Sequence, residues 1–304
     1  MNNSIFLKDG TAQGVAKQRL IETLATSNER IINDPYAERF VKGAGIVKLM
    51  GHKLNVWLTQ KLVPGFHEHL ISRTRFIDNL VETSCSNGVE QYVILGAGYD
   101  SRAHRLELPP SVRIFEVDQP EVQARKRSKL PSKLANSKNV TYLTVDFTHQ
   151  SLAKQLIESG FDDSKPSIFT LEGVSQYITK EAVKSTIKEI AMLTQKVSSI
   201  FFISYVDELL NKNPKACFGK DYPRAAKRAK LITNLSAKAG EPWISFYSSD
   251  EIKSLFSQNG YSIKKNVTFN DLNSLYFAPV RRALPQNQIF NLEHFVVAET
   301  QDHS

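Results

Sequence analysis

The sequence predicts a single α/β domain built on a mainly parallel sheet with helices on both faces. Three observations carry that expectation. Between residues 91 and 206, short β-rich runs alternate with longer stretches whose apolar residues fall at helical spacing, the pattern of βαβ units. A glycine pair, Gly96 and Gly98, follows the first such run directly, where a parallel strand has to turn. A chain of 304 residues, 41% hydrophobic and 23% charged, can bury one large core and is too apolar for disorder throughout. Fourteen Gly, twelve Pro and two Cys exclude collagen-like and disulfide-rich classes.

Residues 11–85 read as helices with no convincing strand, with candidates at 12–26, 38–47 and 71–83. Strand-like runs follow at 91–95, 112–117, 140–145, 167–171 and 199–206, and helical stretches lie between them at 121–130, 151–159 and 180–196. Residues 207–248 interrupt this rhythm with a polar, basic and partly helical stretch. Ser248-Ser249-Asp250-Glu251 then opens a helix, with a capping hydroxyl and carboxylates in its first turn. Strand-like runs at 261–269 and 293–298 finish the sheet. The expected organisation is one domain over 1–304. It has a helical N-terminal cover (1–88), a sheet core (89–206 and 249–300) and a lid-like insertion (207–248). No internal repeat points to a solenoid or propeller.

The formal charge of +8 suits acidic partners: nucleic acid, anionic membrane or anionic small molecules. Arg125–Lys129 and Lys215–Lys230 hold much of the excess. No RNA-binding motif accompanies either run, so solvated helix faces are expected and nucleic acid is not an expected partner. The second run lies in the insertion, where it would draw an anionic acceptor. Cys85 and Cys217 stand apart in sequence and read as reduced structural thiols. Residues 1–14 are too polar for a signal-peptide core, and Ile200–Ile203 is far short of the roughly 18 apolar residues of a spanning helix. A cytoplasmic protein without membrane association is the expectation. Oligomeric state cannot be read.

The strongest chemical signal is Leu95-Gly96-Ala97-Gly98-Tyr99-Asp100-Ser101-Arg102. Glycines at the carboxyl end of a first parallel strand allow a tight turn and close approach to a ligand. The next strand ends at Asp118, twenty residues beyond Gly98, where a carboxylate meets the hydroxyls of an adenosine ribose. A dinucleotide would ask for a third glycine where Ser101 stands, and Asp100 places negative charge where a pyrophosphate would sit. Both departures suit a cofactor that is cationic and free of phosphate, S-adenosyl-L-methionine. Val145-Asp146-Phe147 ends the third strand, able to accept from an adenine amino group and to pack against its ring. Glu172-Gly173 ends the fourth over the same sheet edge.

These residues, with others, resemble the leucine carboxyl methyltransferase family and its bacterial S-adenosylmethionine-dependent relatives. The likeness runs through Thr11-Ala12, Ala16 and Arg19, Asn33-Asp34-Pro35-Tyr36-Ala37 and Arg73-Thr74-Arg75-Phe76-Ile77-Asp78. It continues in residues 95–105, Phe115-Glu116-Val117-Asp118-Gln119-Pro120, Val145-Asp146-Phe147 and Glu172-Gly173-Val174-Ser175-Gln176-Tyr177. Together these cover about residues 11–180. The resemblance implies a class I methyltransferase, Rossmann-like sheet with an antiparallel final strand. It implies that Arg73 contacts the cofactor's carboxylate, with Gly96, Asp118, Asp146 and Glu172 lining the site. A planar guanidinium fork suits such a carboxylate, although composition alone would make Arg73 a surface residue of a helix. Arg19 is a candidate for the same carboxylate or for the substrate.

Methyl transfer from a sulfonium is an in-line displacement in which the protein chiefly positions three atoms. A carboxylate acceptor needs cations and a dry pocket, whereas a hydroxyl acceptor needs a base. Candidate bases are Tyr177, Tyr205, His67 and His69, none with recognisable base-plus-orienter spacing. His67-Glu68-His69 follows Pro64-Gly65, so solvated loop histidines are expected rather than a metal site. The expected activity is O-methyl transfer to a carboxylate or hydroxyl of a small molecule, an anionic one suiting the basic insertion. A protein C-terminal carboxylate as acceptor, and a non-catalytic nucleic-acid-binding relative, are the alternatives.

Overall fold

The computed structural model describes residues 10–145 and 150–300. Four helices come first: α1 (Gly10–Thr23), α2 (Ala37–Phe40), α3 (Ala44–Leu62) and α4 (Phe66–Ser86). The alternating part then runs β1 (Gln91–Leu95), α5 (Arg102–Arg105), β2 (Arg113–Asp118), α6 (Pro120–Lys129), α7 (Ser132–Ala135) and β3 (Val140–Thr144). It continues with α8 (Leu152–Glu158), β4 (Ser167–Leu171), α9 (Lys180–Leu193) and β5 (Ser199–Val206). Between β5 and α12 (Ser249–Ser257) lie α10 (Leu209–Lys212), a 3₁₀ turn and α11 (Ala225–Lys238). The chain ends with β6 (Tyr261–Thr268), α13 (Phe269–Leu272) and β7 (Glu293–Thr300).

The seven strands are ordered β3-β2-β1-β4-β5-β7-β6. The first five are parallel, and β7 pairs antiparallel with both β5 and β6. This is the mainly parallel sheet with an antiparallel last strand that the sequence led one to expect. β1 and β4 are buried along their whole length, which is why they read as unbroken apolar runs rather than as alternations. Val93 and Leu95 face the layer of α8, α9 and α12, packing with Leu156, Ile187 and Phe256. Tyr92 and Ile94 point the other way, against Phe76, Ile77 and Val81 of α4. The order reverses between β1 and β4, so their carboxyl ends diverge into a crevice, the usual ligand position in such sheets.

Helix starts follow their chemistry. The hydroxyls of Ser151, Thr179 and Ser248 accept the backbone N–H groups of Lys154, Ala182 and Glu251, satisfying donors the first turn leaves open. Three local expectations are corrected. Gly65, at φ +78°, is the N-cap of α4 rather than part of a loop, and His67 and His69 are buried in that helix instead of solvated. The helix expected at 38–47 is two pieces, and its second continues to Leu62 through a kink at Gly51 (φ 68°, ψ 177°). In α6, Lys126 is not solvated: its ammonium donates to the buried Glu116 carboxylate at 2.6 Å. Cys85 and Cys217 are both free and buried. Burial pushes their thiols up, to about 11 and about 12 respectively. Among the described residues no helix is long and apolar enough to cross a membrane.

Candidate active site

A cavity of about 460 Å³ opens at the carboxyl ends of β1 and β4. Its floor is the turn after β1. Gly96 (φ +64°) and Gly98 (φ +46°) both take the left-handed conformation that side chains disfavour. Gly96 needs its missing side chain for packing as well, since a Cβ there would lie 2.4 Å from Cγ2 of Val174. Gly98 N–H donates to Asp118 Oδ2 at 2.5 Å, and Gln119 N–H donates to Oδ1 at 2.6 Å. Asp118 at the end of β2 therefore braces the glycine turn at the cavity wall. Burial raises its pKa against the pull of those two N–H donors. Each oxygen retains a lone pair for a further donor.

Beneath the turn lies a web of buried charges. Arg73, from α4, donates through Nε to Glu172 Oε1 at 2.8 Å and through Nη1 to both oxygens of Glu293 at 2.9 Å. Arg102 holds the other oxygen of Glu172 at 2.6 Å, together with Asp78 and Asp100. Arg105 forks onto Asp78. Arg19, from α1, donates through Nε to Asp34 at 2.7 Å and through Nη2 to the carbonyl of Tyr99. Burial alone would raise the Asp100 carboxyl, but the charges of Arg102, Lys126 and Arg19 outweigh it and hold it well below the usual range. Glu293 likewise sits at about 2, because Arg73 and the His69 hydrogen bond overcome burial. His69 is held neutral by burial, its Nε2 2.8 Å from Glu293 Oε2. The four arginines of this web thus face five carboxylates, and Asp118 adds a sixth. The site is net negative.

Arg19, Arg73, Gly96, Gly98, Asp118, Glu172 and Tyr177 all line the cavity, so the structure brings these sequence-selected residues together. Asp146 and Phe147 lie outside the described residues. The structure does not bring Tyr205 to the cavity. It is a buried residue of β5 with its hydroxyl 2.9 Å from Ser249 Oγ, and burial raises its pKa. His69 is spent on Glu293, and His67 contacts Gln18 and Glu22 at 2.8 and 2.9 Å; neither lines the cavity. Lys227 and Arg228 also lie outside its walls.

Sequence reasoning missed Gly240, Glu241, Pro242 and Ile244, which line the cavity from the segment after α11. Thr11 N–H donates to Glu241 Oε2 at 3.1 Å, joining that segment to the start of α1 across more than two hundred residues. No local pattern announces such a contact. Glu293, the anchor of Arg73, was missed for the same reason.

A second charged cluster lies apart, where Glu22, His52 and His67 gather ligand-type atoms. Arg282 already forks onto Glu22 at 2.8 and 2.9 Å, occupying the place a cation would take. Burial raises the Glu22 carboxyl, yet hydrogen bonds from His52, His67 and Arg282 together hold it well below its ordinary range. The cluster ties α1, α3 and α4 to the segment before β7.

The model of the leucine carboxyl methyltransferase family matches residues 12–191. A Bacillus subtilis protein named as the S-adenosyl-L-methionine-dependent methyltransferase YktD is 31% identical over 210 residues, 68% of this chain and 66% of that protein. A Rhodococcus jostii protein of the same naming is 33% identical over 190 residues, 62% of this chain and 63% of that one. The chain thus spans about two thirds of the length of these relatives. Two solved structures share the fold. One, from Thermobifida fusca and named as a methyltransferase, has a TM-score of 0.54 at 16% identity, covering 94% of each chain. The other, a DUF574-family protein from Streptomyces avermitilis, has a TM-score of 0.58 at 14% identity, covering 93% of this chain and 97% of its own. With more than half its length matched and the strand order in place, this chain belongs to the leucine carboxyl methyltransferase family.

Proposed function

We propose that this chain is an S-adenosyl-L-methionine-dependent O-methyltransferase whose acceptor is a carboxylate or hydroxyl of a small molecule. The observation that carries the reading is the cavity itself. A left-handed glycine turn, a strand-end Asp and a net-negative charge web meet at the switch point of the sheet. These residues fit the cofactor's three parts. Asp118 presents lone pairs suited to a ribose diol. Arg73 spends Nε and Nη1 on Glu172 and Glu293, while Nη2 makes no hydrogen bond to the described residues and is available to a carboxylate. Excess negative charge favours a sulfonium and disfavours a pyrophosphate. Bound there, the cofactor supplies an activated methyl group.

The protein's share is then positioning. The Glu172 bridge between Arg73 and Arg102 fixes both guanidinium planes, so the site is organised before anything binds. Arg19 is the second cation on the wall; with Nε on Asp34 and Nη2 on the Tyr99 carbonyl, it would attract an acceptor carboxylate by its charge. Tyr177 is a wall hydroxyl that would take the base role if the acceptor is an alcohol. The segment Gly240–Ile244, joined to Thr11 through Glu241, supplies part of the wall; in our reading this is the acceptor side, where excluding water would favour transfer.

Calorimetric titration with S-adenosylhomocysteine and with NAD⁺ tests the cofactor. Tight binding of the first and none of the second is expected. Asp118→Ala should weaken S-adenosylhomocysteine about tenfold or more, the scale of a lost charge-assisted hydrogen bond. Unchanged affinity in that variant, or preference for NAD⁺, would sink the reading. Turnover with paired acceptors, a carboxylic acid against its amide, then separates carboxylate from hydroxyl chemistry.

A further inference from the structure

Helix α3 carries an apolar face that no described part of the chain covers. Ile46, Leu49, Leu54, Trp57, Leu58 and Leu62 are all exposed, Leu49 at 88%, Leu62 at 63% and Trp57 at 54%. These six are half of the twelve large hydrophobic residues exposed among the described residues. Isolated exposed leucines need no explanation, whereas Leu54, Trp57, Leu58 and Leu62, at i, i+3, i+4 and i+8 beyond the Gly51 kink, mark an interaction surface, with Ile46 and Leu49 exposed before it. The helix is anchored from its other side, where Val47 and Asn55 are buried and Asn55 Nδ2 donates to the carbonyls of Val47 and Gly51.

The charges that the helix itself carries are of one sign. Ala44–Leu62 contains Lys48, Lys53 and Lys61 and no acid. Lys48 is paired with Glu38 at 2.8 Å, and Lys61 Nζ stands 5.4 Å from the centre of the Trp57 ring. At its C-terminal end the face meets α11, whose Arg228 donates to the carbonyls of Leu62 and Lys61. Arg224, Lys227, Arg228 and Lys230 line a groove of about 320 Å³ there, and α11 also contains no acid. An outward row of Leu, Ile and Trp flanked by lysines is the chemistry of a helix lying in a membrane interface. An adjoining polybasic surface adds attraction to anionic headgroups.

We propose that α3 and the first half of α11 form a docking surface for an anionic lipid bilayer. Trp57 and the leucines would enter the headgroup boundary, with the α11 cations on the headgroups beside them. A second copy of the chain is the competing occupant. A two-fold contact through this face would bring two predominantly basic surfaces together, a like-charge juxtaposition that costs stability. Part of the +8 net charge then has an assignment the cofactor site cannot provide, since that site is negative. The proposal concerns peripheral binding, and it stands independently of the methyl-transfer reading.

The test is flotation of the full chain with phosphatidylcholine vesicles containing about one third phosphatidylglycerol, compared with phosphatidylcholine alone. Binding to the anionic vesicles, weakened by added salt, is expected, with a blue shift of Trp fluorescence. Trp57→Glu combined with Leu58→Glu should abolish it. Lys227→Ala combined with Lys230→Ala should lower the partition coefficient more than about tenfold, each cation contributing about fivefold. Both pairs are on the surface, and unchanged melting curves will confirm that the variants are folded. Absence of binding to anionic vesicles, or binding indifferent to both variant pairs, overturns the proposal. So does a concentration-dependent dimer that Trp57→Glu dissolves while vesicles are ignored.

Discussion

Glu293 shows what a single residue does in this fold. It is buried, it accepts from Nη1 of Arg73, and it faces Nε2 of His69 at 2.8 Å. Its carboxyl sits at about 2, whereas the unfolded chain would hold it near 4.5. A depressed carboxylate contributes stability that is complete above the unfolded value and is lost as pH falls through the folded one. That contribution, on the order of 3 kcal/mol, should therefore disappear between about pH 4.5 and pH 2. His69 acts in the same direction from a higher starting point. It is kept neutral by burial, so protonation of the unfolded chain begins to cost stability as pH drops below about 6.5. Glu293→Gln should lower stability by about 3 kcal/mol at neutral pH by leaving Arg73 undercompensated. It should also flatten the slope below pH 4.5. Denaturant unfolding of both proteins at several pH values checks this, and parallel slopes for the two would count against the assignment.

At the scale of elements, the turn between β1 and α5 makes the most specific demand. Gly96 has a left-handed φ of +64° and a virtual Cβ 2.4 Å from Val174. Gly96→Ala must both strain the backbone, at about 1–3 kcal/mol, and displace Val174 from the segment after β4. The expected result is a lower melting temperature together with weaker S-adenosylhomocysteine binding, because the same turn carries the Gly98 N–H that engages Asp118. Thermal melts with and without ligand check both effects. This turn was legible because its signal is local: two glycines after an apolar run, and an Asp at the end of the next strand. β1 and β4 were legible for a related reason, being short apolar runs bounded by breakers. Helix α3 was not, since its apolar residues face outward and give no core-facing stripe to recognise. The start of α4 was hidden by Pro64-Gly65, which looks like a loop in sequence yet provides a glycine cap. The charge web was hidden in a different way. Arg73, Glu172 and Glu293 lie far apart in the chain, and only the packing of α4 over the ends of β4 and β7 makes them neighbours.

Across the whole molecule, the N-terminal helices are joined to the sheet domain by buried ion pairs as well as by apolar packing. Arg19–Asp34–Ser101 links α1 and the turn before α2 to the glycine loop. Asp78 of α4 holds Arg102 and Arg105. Glu22 ties α1 to His67 of α4 and to Arg282 near the end of the chain. Because α1 supplies Thr11, Ala12, Val15 and Arg19 to the cavity, the cover's attachment bears directly on the site. Glu22→Ala removes the carboxylate from Arg282 and His67 and also leaves the Ile31 N–H without its acceptor. Breaking a buried pair from one side costs about 3–5 kcal/mol, and here the cost falls on the contacts of α1, α3 and α4 with the rest. The cover should therefore open below the global unfolding free energy, while the strands stay closed. Hydrogen exchange should show faster exchange in α1, α3 and the first turn of α4, with β1, β4 and β5 still protected and with reduced S-adenosylhomocysteine affinity. Equal loss of protection across sheet and cover would show that the cluster supports the whole core rather than the attachment of its roof.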